Sequence, residues 1–333
     1  MANLYLTEQK SILRKTGDRL IVEKDDQVLL DVQCHKIDAV LIFGNVQFTT
    51  QAVHELFEHG IEMAIHTRSG RLIGQLTSPT TKNIDLRIEQ FAKYDDNAFR
   101  ARLAREIVTG KINNCLQLMR DFSYNHPEID LGSETAALKA KGAAVAEATG
   151  LDQLLGMEGD AARIYFRGFA KMVLGDFTFP GRRKRPPTDP VNAVLSLSYT
   201  MVFNEISSLL DGLGFDPYLG YLHSVTYGRA SLAADLMEEF RAPVADRLTL
   251  KLLNKRVFSP EDFTTNPGNQ GVYFKRDGLK RYFAEYEKML NQEFMHPEAG
   301  TTTLRKSFRL QAQKMATVIR DDVPYQPFMP HFS

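Results

Sequence analysis

The chain has 333 residues, of which 43% are hydrophobic and 25% are charged, and its 41 Lys and Arg residues balance 41 Asp and Glu residues. This composition is typical of a globular protein and excludes collagenous, coiled-coil and disordered chains. At about 100–200 residues per domain, the length predicts one large domain or two. A formal charge of zero argues, on the whole-chain average, against a protein that mainly binds polyanions.

The cysteines and the apolar runs indicate the cellular compartment. Cys34 and Cys115 are the only cysteines and neither belongs to a C-x-x-C pair, so neither structural zinc nor a disulfide framework is predicted. The N-terminus reaches polar residues too early for a signal peptide, and no window approaches the ~18 apolar residues of a membrane span. We therefore expect a cytoplasmic protein in a reducing compartment, with no membrane partner.

Short β-rich runs dominate the chain up to about residue 77. One amphipathic helix interrupts them, because Ala52, Val53, Leu56 and Phe57 share a face and Gly60 follows where a helix would end. The pattern predicts a β-rich domain over residues 1–77. The runs are Leu4–Leu6, Ser11–Arg14, Leu20–Val22, Val28–Val32, Ala39–Phe43, Ile61–Ile65 and Arg71–Leu76.

Residues 78–83 lack periodicity and are predicted to be a linker, after which strand signals nearly vanish over residues 84–333. Asp189-Pro190 is a strong helix start, since Asp caps free amides and Pro fits the first turn. The predicted fold class is α+β, with a small β-rich N-terminal domain followed by a large all-α C-terminal domain. Its predicted helices are Ile84–Tyr94, Ala98–Val108, Ile112–Phe122, Glu134–Ala148, Asp152–Phe169, Val191–Leu210, Ser231–Phe240, Val244–Leu253, Leu279–Phe294 and Thr303–Ile319.

Glu158 is the first candidate for chemistry. It lies on a predicted helix among small and apolar residues, where a carboxylate is expensive to bury without a cation or a donor. Two interpretations stay open. Glu158 is either an ordinary helix residue, paired with Arg163 or solvated, or it is a metal ligand or acid–base group.

His223 and a cluster of acids form the second candidate. Asp235 is followed at spacings of three and four by Glu238 and Glu239, so on a helix these acids lie on adjacent or shared faces. A solvated face is the ordinary explanation, but a divalent cation would turn the repulsion into coordination. One imidazole with several carboxylates suits Mg²⁺ or Mn²⁺ better than structural zinc.

Basic residues are unevenly distributed. Residues 247–320 hold 14 Lys and Arg against seven Asp and Glu. Ordinary cationic helix faces would explain this excess, but beside a hard-cation site it suggests a phosphodiester substrate. An extended basic loop is also predicted between Gly181 and Pro187. The candidate DNA-binding residues are Arg182, Arg183, Lys184 and Arg185 of this loop, with Lys275 and Arg276.

Four motifs in order carry a family resemblance that covers nearly the whole chain. They are Leu154–Phe166, Arg185–Tyr199, Gly220–His223 and Asp235–Asp246. Together they resemble the Cas1 family of CRISPR-associated endonucleases and integrases. The resemblance implies insertion of spacer DNA by attack of a 3′-hydroxyl on a phosphodiester. It also implies a homodimer formed through the N-terminal domains, double-stranded DNA as substrate and the small Cas2 protein as partner.

The same resemblance implies a site that holds Mg²⁺ or Mn²⁺ on Glu158, His223 and Glu238. Asp235 and Glu239 are further possible ligands or supporting groups, and the spacing leaves open which acid coordinates directly. Two residues match positions near this site, without an assigned role: Asn192 and Tyr199. Two alternatives stay open, a non-catalytic DNA-binding scaffold and a metal-dependent hydrolase of another nucleic acid.

Overall fold

The computed structural model describes residues 2–68, 70–76, 83–296 and 298–330. The chain forms two compact units: residues 1–80 with 274–287, and residues 81–273 with 288–333. The predicted linker 78–83 lies, apart from Asn83, outside the described residues.

The first unit holds two four-stranded sheets. One has the strand order β1-β5-β7-β8, with β1, β5 and β7 parallel and β8 antiparallel, and the other has the order β4-β3-β2-β6. Every predicted strand is present, and the pair Gln47–Phe48 is added. The strands are β1 Ala2–Leu6, β2 Ile12–Thr16, β3 Arg19–Lys24, β4 Gln27–Gln33, β5 Ile37–Phe43, β6 Gln47–Phe48, β7 Glu62–His66 and β8 Leu72–Leu76.

Helix α1, Thr50–Glu58, packs on the core of this unit. The Thr49 hydroxyl accepts a hydrogen bond from Ala52 N at 3.2 Å and caps the first turn. Ala52 and Leu56 are fully buried on the apolar face that the sequence predicts. Gly60 ends the segment with a φ of +65°, a conformation that favours glycine.

Helices dominate the second unit. The predicted helices are present, with one joining: the pattern predicts a break between Val108 and Ile112, but α3 continues through it. The C-terminal tail packs against α3 at Gly110, within this expected break. A Cβ at this position would lie 2.4 Å from Pro327 Cβ, so only glycine fits. The helices are α2 Ile84–Tyr94, α3 Asn97–Asn125, α4 Gly132–Ala146, α5 Leu151–Met172, α6 Pro190–Leu213, α7 Ser231–Met237, α8 Arg247–Asn254, α9 Arg276–Leu290 and α10 Leu304–Asp321.

Two helix ends bear on the site. Asp189 caps α6 as predicted, accepting a hydrogen bond from Asn192 N at 2.8 Å. The helix predicted over Ser231–Phe240 instead ends at Met237, and a π-helical turn, Arg241–Asp246, leads into α8. The chain therefore bends where its acidic residues lie.

The α+β class is confirmed, but the C-terminal part is not purely helical. Two small two-stranded sheets occur in it, and the second, which is antiparallel, replaces the end of the helix predicted over Leu279–Phe294. Their strands are β9 Phe263–Thr265, β10 Val272–Phe274, β11 Glu293–His296 and β12 Gly300–Thr303. Short strands of three or four residues give too little periodicity to be recognised in sequence.

One segment that the sequence pattern assigns to the helical domain belongs to the first unit. Residues 274–287, which carry most of α9, join the N-terminal strands. The Tyr5 hydroxyl donates to Glu287 Oε1 at 2.6 Å, and the Tyr5 ring stacks on Phe283 with centroids 4.4 Å apart. These contacts between distant parts of the chain are invisible to local periodicity.

Among the described helices, one is long and apolar enough to cross a membrane by length and composition, Pro190–Leu213. Within its most apolar window, 61% is buried inside the protein. Such burial is typical of a core helix, and α6 is the helix against which α7 and α10 pack.

Candidate metal centre

Lys111 links two acids that come from different helices. Its ammonium contacts Glu158 Oε1 on α5 and lies 2.7 Å from Glu238 Oε2, just after α7. All three side chains are largely buried, at 9%, 18% and 1% exposure. Glu158 is therefore neither paired with Arg163 nor solvated, which were the ordinary possibilities for this residue.

Cations surround Glu238. The Arg241 guanidinium lies 2.9 Å from Oε1. Burial raises the pKa of the Glu238 carboxyl, but Arg241 and Lys111 outweigh burial and hold this pKa well below its usual range. Oε2 is buried and has no hydrogen-bond partner of good geometry among the described residues, because the Lys111 contact is misaligned. Glu238 is thus ionised, and Oε2 is held by the charge of Lys111 rather than by a well-aligned hydrogen bond.

Asp235 holds His223 in place. Its Oδ1 accepts the Nδ1–H of His223 at 2.6 Å and the backbone N–H of the same residue at 3.0 Å. Its Oδ2 accepts the backbone N–H groups of Tyr221 at 2.6 Å and Leu222 at 3.0 Å. Both carboxylate oxygens are therefore occupied, and the imidazole presents Nε2 towards Glu238 Oε1, 3.9 Å away.

Glu239 lies apart from the other acids. It accepts hydrogen bonds from the Tyr325 hydroxyl at 2.5 Å, from Gln311 Nε2 at 2.8 Å and from the backbone N–H of Phe328 at 2.6 Å. Burial raises the pKa of this carboxyl to about 7. The side chain of Glu239 therefore contacts α10 and the C-terminal tail, and none of these contacts supports a role for Glu239 as a metal ligand.

Asn192 fixes the basic loop. Its Oδ1 accepts from Arg183 N at 2.8 Å and Arg182 Nη1 at 2.9 Å, while its Nδ2 donates to Gly181 O at 2.8 Å and Asp189 Oδ2 at 2.6 Å. The predicted basic loop is present, and these hydrogen bonds lie in its first residues. The side-chain amide of Asn192 gives this part of the loop a defined shape. The remaining cations of the loop are exposed and are termed the loop cations: Arg183, Lys184 and Arg185.

Tyr199 belongs to a buried network around Asp246. Its hydroxyl donates to Asp246 Oδ1 at 2.5 Å, and the hydroxyl of Tyr165 donates to Oδ2 at 2.8 Å. Burial raises the pKa of the Asp246 carboxyl to about 6. The Tyr199 ring lies under two guanidinium groups, those of Arg182 at 5.1 Å and Arg241 at 4.9 Å.

Sequence reasoning missed three residues of this region. Asp246 and Tyr165 lie inside the matched motifs but were not singled out, and Lys111 lies outside every motif. A signal exists only for Asp246, as a carboxylate that directly follows the apolar run of residues 242–245.

A cavity of about 770 Å³ adjoins the acids. Glu158 and Asp246 contribute negative charge to its wall, whereas Arg163 and Arg167 add cations. Further cations of the wall come from the groups described above: Lys111, Arg182, Lys184 and Arg241. The cavity can therefore accommodate an anionic chain beside the carboxylates.

Lys275 and Arg276 lie in the first unit. Both are exposed, and the Arg276 guanidinium pairs with Glu8, which also lies 3.8 Å from Lys280 Nζ. Part of the basic character expected there is therefore neutralised within the unit.

The donor set at the acids fits a divalent cation. Two carboxylates and one imidazole suit Mg²⁺ or Mn²⁺, and the buried Glu238 Oε2 lacks a well-aligned partner among the described residues. Lys111 neutralises the charge of Glu158 and Glu238, and a bound divalent cation would take over this role.

The family model described as CRISPR associated protein Cas1 matches residues 4–288. The chain belongs to this family. It is similar to a CRISPR-associated endonuclease Cas1 of Moorella thermoacetica, with 34% identity over 98% of this chain and 97% of the relative. Such agreement over the full length extends the Cas1 relationship to both units.

Solved structures agree with this Cas1 assignment. A chain of a Cas6-RT-Cas1–Cas2 complex is 26% identical, with a TM-score of 0.83 over 99% of this chain and 36% of that longer chain. A casposase bound to integration product has a TM-score of 0.88 at 20% identity, covers 100% of this chain and 95% of the other, and shares the fold.

Proposed function

We propose that this chain is a DNA endonuclease and integrase of CRISPR spacer acquisition, and that Glu158, His223 and Glu238 hold a Mg²⁺ or Mn²⁺ ion. One observation carries the proposal. Glu238 contacts the Lys111 ammonium that also contacts Glu158, and its Oε1 faces His223 Nε2 at 3.9 Å. Glu158 and Lys111 line a cavity whose wall holds further guanidinium and ammonium groups.

The residues around the acids prepare them for a metal. Lys111 and Arg241 favour the ionised form of Glu238, which metal ligation requires. Asp235 keeps the proton of His223 on Nδ1, so that the Nε2 lone pair is available. A bound divalent ion would polarise a phosphoryl oxygen and lower the pKa of the attacking hydroxyl.

The cations of the cavity wall would position the DNA backbone for in-line attack. In the integrase reaction a 3′-hydroxyl oxygen forms a new bond to phosphorus. The bond from phosphorus to the departing 3′-oxygen breaks, and that oxygen takes up a proton. With water as nucleophile the same arrangement nicks DNA.

Three partners belong to the proposal. Double-stranded DNA fits the cationic cavity, and a Cas2 partner is supported by the related chain of the Cas6-RT-Cas1–Cas2 complex. A homodimer formed through the N-terminal unit is the expectation from the family resemblance.

The test is strand transfer by the full chain together with its Cas2 partner. In Mn²⁺ or Mg²⁺ we expect a duplex with a 3′-hydroxyl to be joined to plasmid DNA. Glu158→Gln and His223→Ala should each lower the rate by at least about 100-fold, because loss of a ligand exceeds the 10–100-fold cost of losing a partner outside the metal's ligand shell. Matched controls in the same unit, Glu147→Gln and His126→Ala, should retain full activity.

Three results would overturn the proposal. Full strand transfer by the Glu158 and His223 variants would remove the assigned site. Salt-sensitive DNA binding without metal-dependent transfer by the native protein would favour a non-catalytic scaffold, and activity on RNA or nucleotides in place of duplex DNA would favour a different hydrolase.

A further inference from the structure

Three metal-binding side chains converge in the first unit, which does not contain the acids of the candidate metal centre. One donor atom from each of Cys34, Glu55 and His59 lies within 4.8 Å of the other two. Cys34 opens the turn between β4 and β5, Glu55 lies on α1, and His59 caps the end of the same helix. Cys34 and Glu55 are buried at 0% and 3% exposure, and His59 is exposed.

We propose that Cys34, Glu55 and His59 bind a transition-metal ion of the zinc class. Thiolate, imidazole and carboxylate are the three donor types that zinc takes in proteins, whereas Mg²⁺ prefers oxygen. The chemistry therefore differs from that of the oxygen-rich centre at Glu158 and Glu238, and the proposal stands whether or not the chain is an integrase.

The geometry is close to a coordination shell. A tetrahedral zinc ion with bonds of about 2.0–2.3 Å holds neighbouring donor atoms roughly 3.5 Å apart. Closing the present separations requires small rotations, and the exposed His59 ring can supply most of them. The same exposed side gives the ion a path from solvent and leaves a fourth position for water.

Existing contacts define what the ion replaces. The Lys15 ammonium pairs with Glu55 and lies at the partly exposed edge of the cluster, so it can return to water when the ion takes over this carboxylate. Burial raises the pKa of the Cys34 thiol, which is therefore protonated without metal. On binding, a sulfur–metal bond forms and the thiol proton is released to solvent.

A bound ion would tie two elements of the unit together. Cys34 packs in the same apolar core as Leu56 of α1, so the turn and the helix already adjoin. Metal bonds to both Cys34 and His59 would fix the end of α1 against this turn.

Cobalt titration of the full-length protein tests the proposal, because Co²⁺ replaces zinc and reports thiolate ligation by a charge-transfer band in the near ultraviolet. We expect the native protein to give this band at one equivalent and to lose it when zinc is added. Cys34→Ser should abolish the band, and His59→Ala should weaken cobalt binding by at least about 10-fold, since even a partner outside the ligand shell costs that much. Cys115→Ser, at the other cysteine, should retain it.

His59→Ala removes an exposed ring, so it keeps the test valid even where the buried Cys34→Ser change impairs folding, which circular dichroism would show. Zinc should also raise the melting temperature of the native protein but not that of His59→Ala. A band that persists in Cys34→Ser, is lost in Cys115→Ser, or never forms in the native protein would overturn the proposal.

Discussion

Replacing Asp235 with asparagine tests how the chain holds His223. The native carboxylate accepts four hydrogen bonds, two from His223 at Oδ1 and one each from the backbone of Tyr221 and Leu222 at Oδ2. Asparagine keeps one acceptor oxygen and places an NH₂ group where the other oxygen was. With the NH₂ group at the Oδ2 position, the backbone donors of Tyr221 and Leu222 lose their acceptor; with it at the Oδ1 position, the backbone donor of His223 does, because the imidazole can move its proton to Nε2.

The magnitude follows from the number of unpaired donors, which is one or two. Each buried donor without a partner costs about 1–3 kcal/mol, so the free energy of unfolding should fall by about 1–6 kcal/mol. With the NH₂ group towards His223, the ring must carry its proton on Nε2, and the lone pair that faces Glu238 is lost. We expect Mn²⁺ affinity to fall by about 10–100-fold.

Urea unfolding without metal and calorimetric titration with Mn²⁺ measure the two quantities. Asp216→Asn is the matched control, because Asp216 Oδ1 accepts one exposed hydrogen bond, from Tyr218 N, which an asparagine oxygen can also accept. The control should stay within about 0.5 kcal/mol of the native protein. Native values of both stability and Mn²⁺ affinity for Asp235→Asn would refute this account of His223.

The remaining predictions concern stability and DNA binding. Burial lowers the pKa of His66 from 6.5 to about 4. As the pH falls from 6.5 towards 4, the unfolded chain binds a proton that the folded chain does not, so the free energy of unfolding should decrease by about 3 kcal/mol over this range. His66→Gln should flatten that part of the pH profile measured by urea unfolding. Gly110→Ala should destabilise the protein by about 1–3 kcal/mol in thermal unfolding, because its Cβ would clash with Pro327, whereas Gly156→Ala, with open space around it, should stabilise α5 by up to about 1 kcal/mol. Neutralising the three loop cations should weaken DNA binding, measured by fluorescence anisotropy, with Mn²⁺ affinity unchanged. The salt slope of binding should decrease by about 0.9 for each DNA phosphate that these cations no longer neutralise.

Each of these has a contradicting outcome. If stability falls between pH 6.5 and pH 4 as much in His66→Gln as in the native protein, other groups control stability in this range. Equal effects of alanine at Gly110 and Gly156 would show that Pro327 moves away from the added methyl group without a loss of stability. Native DNA affinity at low salt after neutralisation would exclude the loop cations as phosphate-binding groups.

Local pattern was sufficient for most of the secondary structure. The alternating runs up to β8 and the apolar stripes of helices such as α6 each reflect one buried face, and a buried face repeats at the period of its own element. Predictions failed where a distant segment intervened. The break expected near Gly110 is absent because the glycine accommodates Pro327, and residues 274–287 join the N-terminal unit through Tyr5 and Phe283.

Spacing alone could not assign roles to the acids. Asp235, Glu238 and Glu239 lie three or four positions apart, and each is a plausible ligand by that measure. Their partners decide between them: the amides of residues 221–223 occupy Asp235, the C-terminal tail occupies Glu239, and Glu238 is left beside Lys111. None of these partners is within helical reach of the acid in sequence.

The sequence by itself determined which elements form and which side chains can carry chemistry, since both depend on residue type and on periodicity over a few turns. Only the tertiary structure decided which carboxylates lie beside Lys111, that Asn192 shapes the basic loop, and that Cys34 meets Glu55 and His59. The reason is physical. Desolvation and hydrogen-bond satisfaction are set by whatever segment packs against a group, and in this chain that segment is often more than 40 residues away.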